Sequence, residues 1–462
     1  MLWLATIAML AAIAYFAGQV VVFTSPHILL AAALAFAVGA TTFFQPWKGL
    51  VLLIFAMLLS PQFAAGGVGG GRQLILRADD MLLLVIFAAW FTRSAISKEK
   101  IFLRLSPIHL PIFIYATLCV VSTGLGIMDG RLSPLRSSLY AIKYMEYFML
   151  FFMTYNLVSS REQVSKCLKY GYITAVIVTI YAYWYHFSTG DRASAPFETP
   201  VGAQEKKESE PATLGGYYLV VLGVMMGMGA QAGGSFLLWS SLGLIAMAPA
   251  SLYTYSRATY AGLLAASAGM LATTRKRLIP IGFAILLAVT ALGFVREVRE
   301  QVVARVTFTF KGGENRVLHP FQFGGKRIML EDSAAQRVWA WERILFKHLP
   351  RHPLLGHGAT GIGFEDTQYG LVLGEFGLIG LGAFLWLIAV VYREGIRLWL
   401  GGKADWERGL GMGLCLALTS LLIQAMTTNT FIIVRVMMPF WFLVALVARL
   451  NNMPPEKEEK TP

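Results

Sequence analysis

The sequence predicts an all-α polytopic membrane protein with about 12–14 transmembrane helices and one large extramembrane loop containing short helices. Three observations carry that expectation. The 462 residues are 56% hydrophobic and only 14% charged, with a mean hydropathy of +0.60, values that belong to a membrane chain and not to a soluble fold. Apolar runs long enough to cross a bilayer recur along the whole length. Between them, only the segment at roughly 296–370 is large enough to fold on its own.

Taken in order, the candidate spans lie near 3–23, 26–45, 48–60, 80–96, 109–128, 139–158, 166–188, 212–230, 235–252, 256–273, 279–295, 371–392, 407–428 and 431–450. The first, MLWLATIAMLAAIAYFAGQVVVF, has no basic leader and no small-residue cleavage site, so it reads as a retained helix. Short basic loops set the orientation. Arg93, Lys98, Lys100 and Arg104, then Arg161 and Lys166, then Arg275, Lys276 and Arg277, then Arg393, Arg397, Lys403 and Arg408 all fall on one side if both termini are cytoplasmic. The chain then divides into an N-terminal transmembrane bundle (1–188), a first outer loop with central transmembrane helices (189–295), the large outer loop (296–370), C-terminal transmembrane helices (371–450) and a cytoplasmic tail (451–462) ending in EKEEK.

The net charge of +13 raises a nucleic-acid partner, but in a membrane chain most of it belongs to cytoplasmic loops, and no nucleic-acid partner is expected. Cys119, Cys167 and Cys415 are scattered, with neither disulfide nor metal-ligand spacing, and read as small packing residues. No His-Glu-x-x-His, paired Cys or acidic cluster supports a metal, and no strand–glycine loop–helix unit supports a nucleotide cofactor.

The large loop contains DSAAQRVWAWERILFKHLP, a helix with Ser333 and Gln336 as a capping box, Val338, Trp341 and Leu345 as an apolar stripe, and Pro350 as its stop. Arg337 sits one turn before Trp341. Basic residues on the outer side run against the orientation rule. Arg257 reads either as a snorkelling anchor or carboxylate partner, or as a ligand for an anion. Arg192 alone would be a solvated loop residue, and Arg337 a decoration of its helix. Arg435 lies within a span, where a charge is expensive and faces a partner or a cavity. Lys143 and Glu146, three apart, read as a mutual ion pair. Together Arg192, Arg257, Arg337 and Arg435 suit a phosphate-bearing ligand, because guanidinium binds phosphate oxygens bidentately and stays charged.

The carboxylates nearby are Asp366, Glu375 and Glu198. Asp366 follows the glycine-rich GHGATGIG and reads either as a helix N-cap or as a base for a hydroxyl proton. Glu375 sits at a membrane boundary, where burial favours a base. His319, His348, His352 and His357 are further candidates, each alone a packing or surface residue.

Over roughly 180–392 the chain resembles the O-antigen ligases and O-antigen polymerases of bacterial envelopes. The residues that carry the resemblance are DRASAPFETP with TLGGYYLV, SRATYAGLLA, SAAQRVWAWERIL, and HPLLGHGATG followed by LGEFGLIGLGAFL. The resemblance implies a metal-independent, cofactor-free inverting glycosyltransferase of the inner membrane with its active site at the periplasmic face. Its donor would be a glycan on undecaprenyl pyrophosphate, and its partners a glycan acceptor, the bilayer and polysaccharide export machinery. Arg257 and Arg192 match the pyrophosphate arginines, Arg337 the loop-helix arginine, and His357 and Trp341 join the substrate-binding set. The ligases carry a His-Asn pair before the Glu-x-Gly helix start, whereas this chain has Asp366-Thr367-Gln368, which looks more like the exopolysaccharide polymerases. Asp366 is then the expected catalytic base, with Glu375 second. A ligase acting on lipid A core or protein is the alternative within the family. A flippase or secondary transporter, and a structural scaffold, are the alternatives outside it.

Overall fold

The computed structural model describes residues 26–64, 75–96, 104–197, 211–274, 282, 318–323, 326–363 and 365–454. The expected first span, nearly all of the span near 279–295, Glu198 and residues 296–317 lie outside them. Each of the other expected spans coincides with a helix. These are α1 (Pro26–Phe44), α2 (Pro46–Leu59), α3 (Ala78–Ile96), α4 (His109–Met128), α5 (Pro134–Leu157), α6 (Arg161–Thr189), α7 (Pro211–Gln231), α8 (Gly234–Leu252) and α9 (Arg257–Thr273). After the loop helix α10 (Asp332–Arg343) come α11 (Gln368–Gly401), α12 (Asp405–Gln424) and α13 (Val434–Asn451). Among the described residues six helices, α4, α7, α8, α11, α12 and α13, are long and apolar enough to cross a membrane, the architecture of a multi-pass membrane protein.

Local chemistry explains the boundaries. Pro134 opens α5 at a position whose N–H has no intrahelical partner. The Ser160 hydroxyl accepts from Gln163 N (3.2 Å) to start α6, and Gly190, left-handed at φ 73°, ends it. Ser256 caps α9 by accepting from Thr259 N (3.3 Å). The only strands among the described residues form two short antiparallel pairs. β1 (Gln62–Ala64) pairs with β2 (Ile75–Arg77), and β3 (Leu318–Phe323) with β4 (Lys326–Glu331) in the register Leu318 opposite Glu331.

The described residues fall into two compact units. The smaller, drawn from residues up to 53 and from 79–96, contains α1 and α3, where Arg93 donates to Phe43 O (3.0 Å) and Gly49 packs on Thr42 and Ile86. The larger holds all six apolar spans and every element discussed below.

Within the larger unit, α7 and α12 approach each other closely. Gly223 and Gly227 on one helix face Gly409 and Gly413 on the other, two Gly-x-x-x-Gly pairs in register. A Cβ on Gly227 would lie 2.3 Å from Gly413 N and 2.4 Å from Gly409 O. α5 packs on α13 through Phe148 and Trp441, whose ring centroids are 4.8 Å apart, and Tyr147 donates to Phe431 O (3.0 Å). Lys143 and Glu146 form the ion pair expected of them (3.8 Å).

The bundle has two polar ends. At one, Arg161 pairs with the buried Glu407 (2.6 Å), Arg449 donates to Val158 O (2.7 Å) and Asn451 to Glu394 (2.8 Å). This end carries the N-termini of α6 and α12 and the C-termini of α11 and α13, the basic side of the expected orientation. The opposite end gathers the start of α9, α10, the start of α11 and the connection 425–433.

We expect Gly227→Leu to lower stability by about 1–3 kcal/mol, because the neighbouring backbone cannot retreat. Thermal unfolding of the detergent-purified protein should show the drop, while Gly124→Ala, which meets nothing within 4 Å, should not.

Candidate functional site

The site is built where a helix is broken. α11 carries non-helical backbone at Gly377 (φ 70°, ψ −168°), and the loop before it fills the gap. His357 N and Gly358 N donate to Gly374 O (3.0 Å) and Glu375 O (2.7 Å), while Leu378 N and Ile379 N donate to Pro353 O (2.9 Å) and Leu354 O (3.2 Å). Four backbone groups orphaned by the break are thereby satisfied. Glycine is required on both sides. Gly356 and Gly358 have φ of 67° and 81°, and a Cβ on Gly377 would lie 2.3 Å from Leu354 O.

Glu375 is fully buried, and its Oε1 accepts from Thr360 N (2.7 Å). Thr360, itself left-handed at φ 70°, also bonds Ser137 Oγ (2.9 Å), and Ser122 Oγ donates to Glu375 O (2.9 Å). Glu375 therefore fastens the glycine loop to the bundle. His357 belongs to the same bracket: its Nε2 donates to His348 O (3.0 Å), and its ring lies 4.6 Å from that of His352.

Beyond the bracket the chain passes Glu365, Asp366 and Thr367. Arg343 grips Glu365 bidentately (2.9 and 2.6 Å), and Asn429 Nδ2 donates to Glu365 O (2.6 Å). Gln368 N donates to Ala425 O (3.0 Å), and its Oε1 accepts from Phe431 N (2.9 Å). Asp366, half-buried, is held between these anchors. The N-cap position of α11 falls on Thr367, so Asp366 does not take the capping role considered for it.

Arg337 and Arg257 stand beside it. Arg337 Nε donates to Thr427 O (3.0 Å), and among the described residues its two Nη groups make no hydrogen bond. Burial, then the nearby Arg257, lowers its pKa, with Asp366 and Glu331 opposing. A guanidinium remains charged under such a shift. Arg257 pairs with Glu331, which is buried at the end of β4. Arg257, Glu331, Arg337 and Asp366 thus form one electrostatic cluster.

The remaining expected residues take other places. Arg192 is half-exposed and makes no hydrogen bond or ion pair among the described residues. Its neighbour Ala193 donates to Tyr253 O (3.0 Å), which docks this turn on the α8–α9 connection leading to Arg257. Arg435 is buried and braces backbone, donating to Pro196 O (2.7 Å), Phe197 O (2.8 Å) and Ser60 O (3.4 Å). Trp341 packs on the cluster of Ile344, Ile362, Leu371 and Leu373, which joins α10 to the start of α11.

Two details of α10 differ from expectation. It begins directly after β4, with Glu331 at the N-cap and no side-chain capping bond, so the Ser333–Gln336 box does not form. A π-turn over Ile344–His348 rotates the apolar face, so Ile344 is buried while Leu345 is exposed. The helix does end before Pro350. Glu331, Arg343, Glu365 and Thr427 were not anticipated. Their partners are distant in sequence, so no local spacing marks them.

Among the described residues no group of three or more His, Cys, Asp or Glu side chains is placed to hold a metal ion. No family model and no curated protein sequence matches the chain.

Two outcomes follow. Gly377→Ala should destabilise the bracket by about 1–3 kcal/mol, seen as faster proteolysis within 352–363. Separately, burial and neighbouring cationic groups hold His348 and His357 below the ordinary imidazole pKa. A histidine with a depressed folded pKa stabilises the fold above its unfolded value, and that contribution is lost as the pH falls. Protease sensitivity of the same loop should therefore rise between about pH 7.5 and about pH 5.5, and less so in His348→Gln/His357→Gln.

Proposed function

We propose that the protein is a membrane glycosyltransferase of the O-antigen ligase and polymerase type, most consistent with an exopolysaccharide or O-antigen polymerase. It would act as a multi-pass protein of the bacterial inner membrane, with cytoplasmic termini and the Asp366 end of the bundle facing the periplasm. The observation that carries this reading is Arg337, a half-buried guanidinium whose Nη donors make no hydrogen bond among the described residues, held beside Arg257 and Asp366.

In this mechanism the acceptor hydroxyl oxygen attacks the anomeric carbon of the lipid-linked glycan. The bond from that carbon to the pyrophosphate oxygen breaks with inversion, and undecaprenyl pyrophosphate leaves with the bonding electron pair. Asp366 takes the hydroxyl proton. Arg337, with Arg257 and Arg192, offsets the charge growing on the leaving group, and fixed donors in a poorly solvated site do this without reorganising. Arg435 and Trp341 support the surrounding scaffold, and Glu375 and His357 hold the loop that positions Asp366. Metal and cofactor play no part in the scheme.

The break at Gly377 is the one feature that favours the transporter reading, since discontinuous helices line transport sites. Here the gap is filled by the chain's own backbone, which leaves the enzyme as the better reading.

The test compares wild type with Asp366→Asn and Arg337→Lys, at matched membrane levels, in a host supplying the cognate glycan. Arg257→Ala is less informative alone because it strands the buried Glu331. Each variant should reduce polymer by about 10²-fold or more while single lipid-linked repeats accumulate on the periplasmic face. Long polymer retained on its carrier would make the protein a ligase. Repeats trapped on the cytoplasmic face would make it a flippase and overturn the assignment of Asp366.

A further inference from the structure

A second basic site lies apart from the Asp366 cluster. Where α4 ends, a cavity of about 320 Å³ opens between Ser122–Arg131 and the turn 351–356. Arg131, Arg351 and His352 line it, and Arg257, Arg337 and Asp366 do not. Arg131 is bonded to Asp129 (3.2 and 2.6 Å), which neutralises part of its charge. Arg351 is exposed, and its side chain forms no hydrogen bond or ion pair among the described residues, while its backbone N donates to His348 O (3.2 Å). The amides of Leu354 and Leu355, also in the lining, likewise donate to no described acceptor.

The apolar surroundings identify the ligand. Leu125 and Leu354 line the same cavity and are both exposed. Met128, one turn beyond Leu125, and Leu378 and Ile379, just after the break in α11, are exposed as well. Leu354 O accepts from Ile379 N (3.2 Å), so loop and helix present these side chains close together. α4 and α11 are both candidate spans and pack on each other through Tyr115 with Phe376 and Phe384 (centroids 6.1 and 5.9 Å). The cavity is therefore a basic pocket at the end of two membrane helices, with an apolar surface leading to it. A soluble anion needs only the first of these features. A lipid with an anionic headgroup uses both, because its acyl chains lie on the apolar surface while its phosphate meets the cations.

We infer that Arg131, Arg351 and His352 form a binding site for the headgroup of an anionic phospholipid, separate from the Arg257–Arg337–Asp366 cluster and independent of the activity proposed for it. Arg351 supplies the unneutralised charge, and Arg131 the second contact. Arg351 and His352 directly precede the turn 353–358 that plugs α11, so an occupied site would brace the loop.

The test is native mass spectrometry of the delipidated full-length protein in neutral detergent. The probes are phosphatidylglycerol and phosphatidylcholine with identical acyl chains. Phosphatidylglycerol should bind preferentially. Arg351→Gln should weaken it about fivefold and Arg131→Gln/Arg351→Gln more than tenfold, with phosphatidylcholine unaffected. The Arg351 side chain has no bonded partner among the described residues, so its single variant reads the site without disturbing the fold. Millimolar inorganic phosphate should not displace the lipid. Wild-type affinity in Arg351→Gln, equal binding of the two lipids, or displacement by inorganic phosphate would each overturn the inference.

Discussion

The site depends on how the broken backbone of α11 is satisfied. A helix that crosses an apolar environment cannot leave amides and carbonyls without partners, and irregular backbone at such depth survives only where protein covers it. At Gly377 the cover is the turn 353–358, which returns two donors and two acceptors to the interrupted helix. The glycines and Thr360 of HPLLGHGATG follow from that requirement. The glycines permit the backbones to approach, Thr360 is held left-handed by the Glu375 carboxylate, and the chain leaves the bracket aimed at the position Asp366 occupies.

Charge imposes the second constraint. Glu331 is buried at the end of a strand, and a carboxylate there is stable only with a cation against it. Arg257 provides that cation, and Asp366 stands near Arg337 in the same way. Among the described residues the two positive and two negative side chains balance one another. Arg337 differs from Arg257 in how it is held. Its Nε is fixed to Thr427 O, which orients the plane of the guanidinium while its Nη edge stays available. That is the bidentate edge suited to a phosphate.

Hydropathy located the helices because long, mostly apolar stretches leave few alternatives, and the boundaries at Pro134, Gly190 and Pro350 follow from proline and glycine chemistry. The failures have physical causes too. The Ser333–Gln336 box needs Ser333 at the N-cap, but α10 starts at Asp332, directly after β4, and puts Ser333 inside its first turn. Leu345 was placed on the buried face by regular spacing, and the extra residue of the π-turn moved Ile344 there instead. Arg435 was read as a charge facing a partner or a cavity and grouped with the phosphate-binding arginines, and its described bonds go to backbone carbonyls. Those partners are the carbonyls of Pro196 and Phe197, which no side-chain pattern announces.

What remains is how residues from separate parts of the chain keep a fixed separation. The connection 425–433 does this. Partly buried and largely non-helical, it bonds its backbone to Gln368, whose Oε1 accepts from Phe431 N and whose N donates to Ala425 O, while the Asn429 side chain donates outward to Glu365 O. Gln424 extends the scheme, accepting from Thr430 Oγ1 (3.2 Å) and donating to Ala212 O (3.3 Å) at the start of α7. Asp366 lies between Glu365 and Gln368, both bonded to this segment, and Arg337 is bonded to Thr427 within it. A single stretch of backbone therefore sets the position of the carboxylate and of the guanidinium together. The geometry that a glycosyl transfer would need between base and leaving group is then a property of the bundle's end, and not of the loop alone.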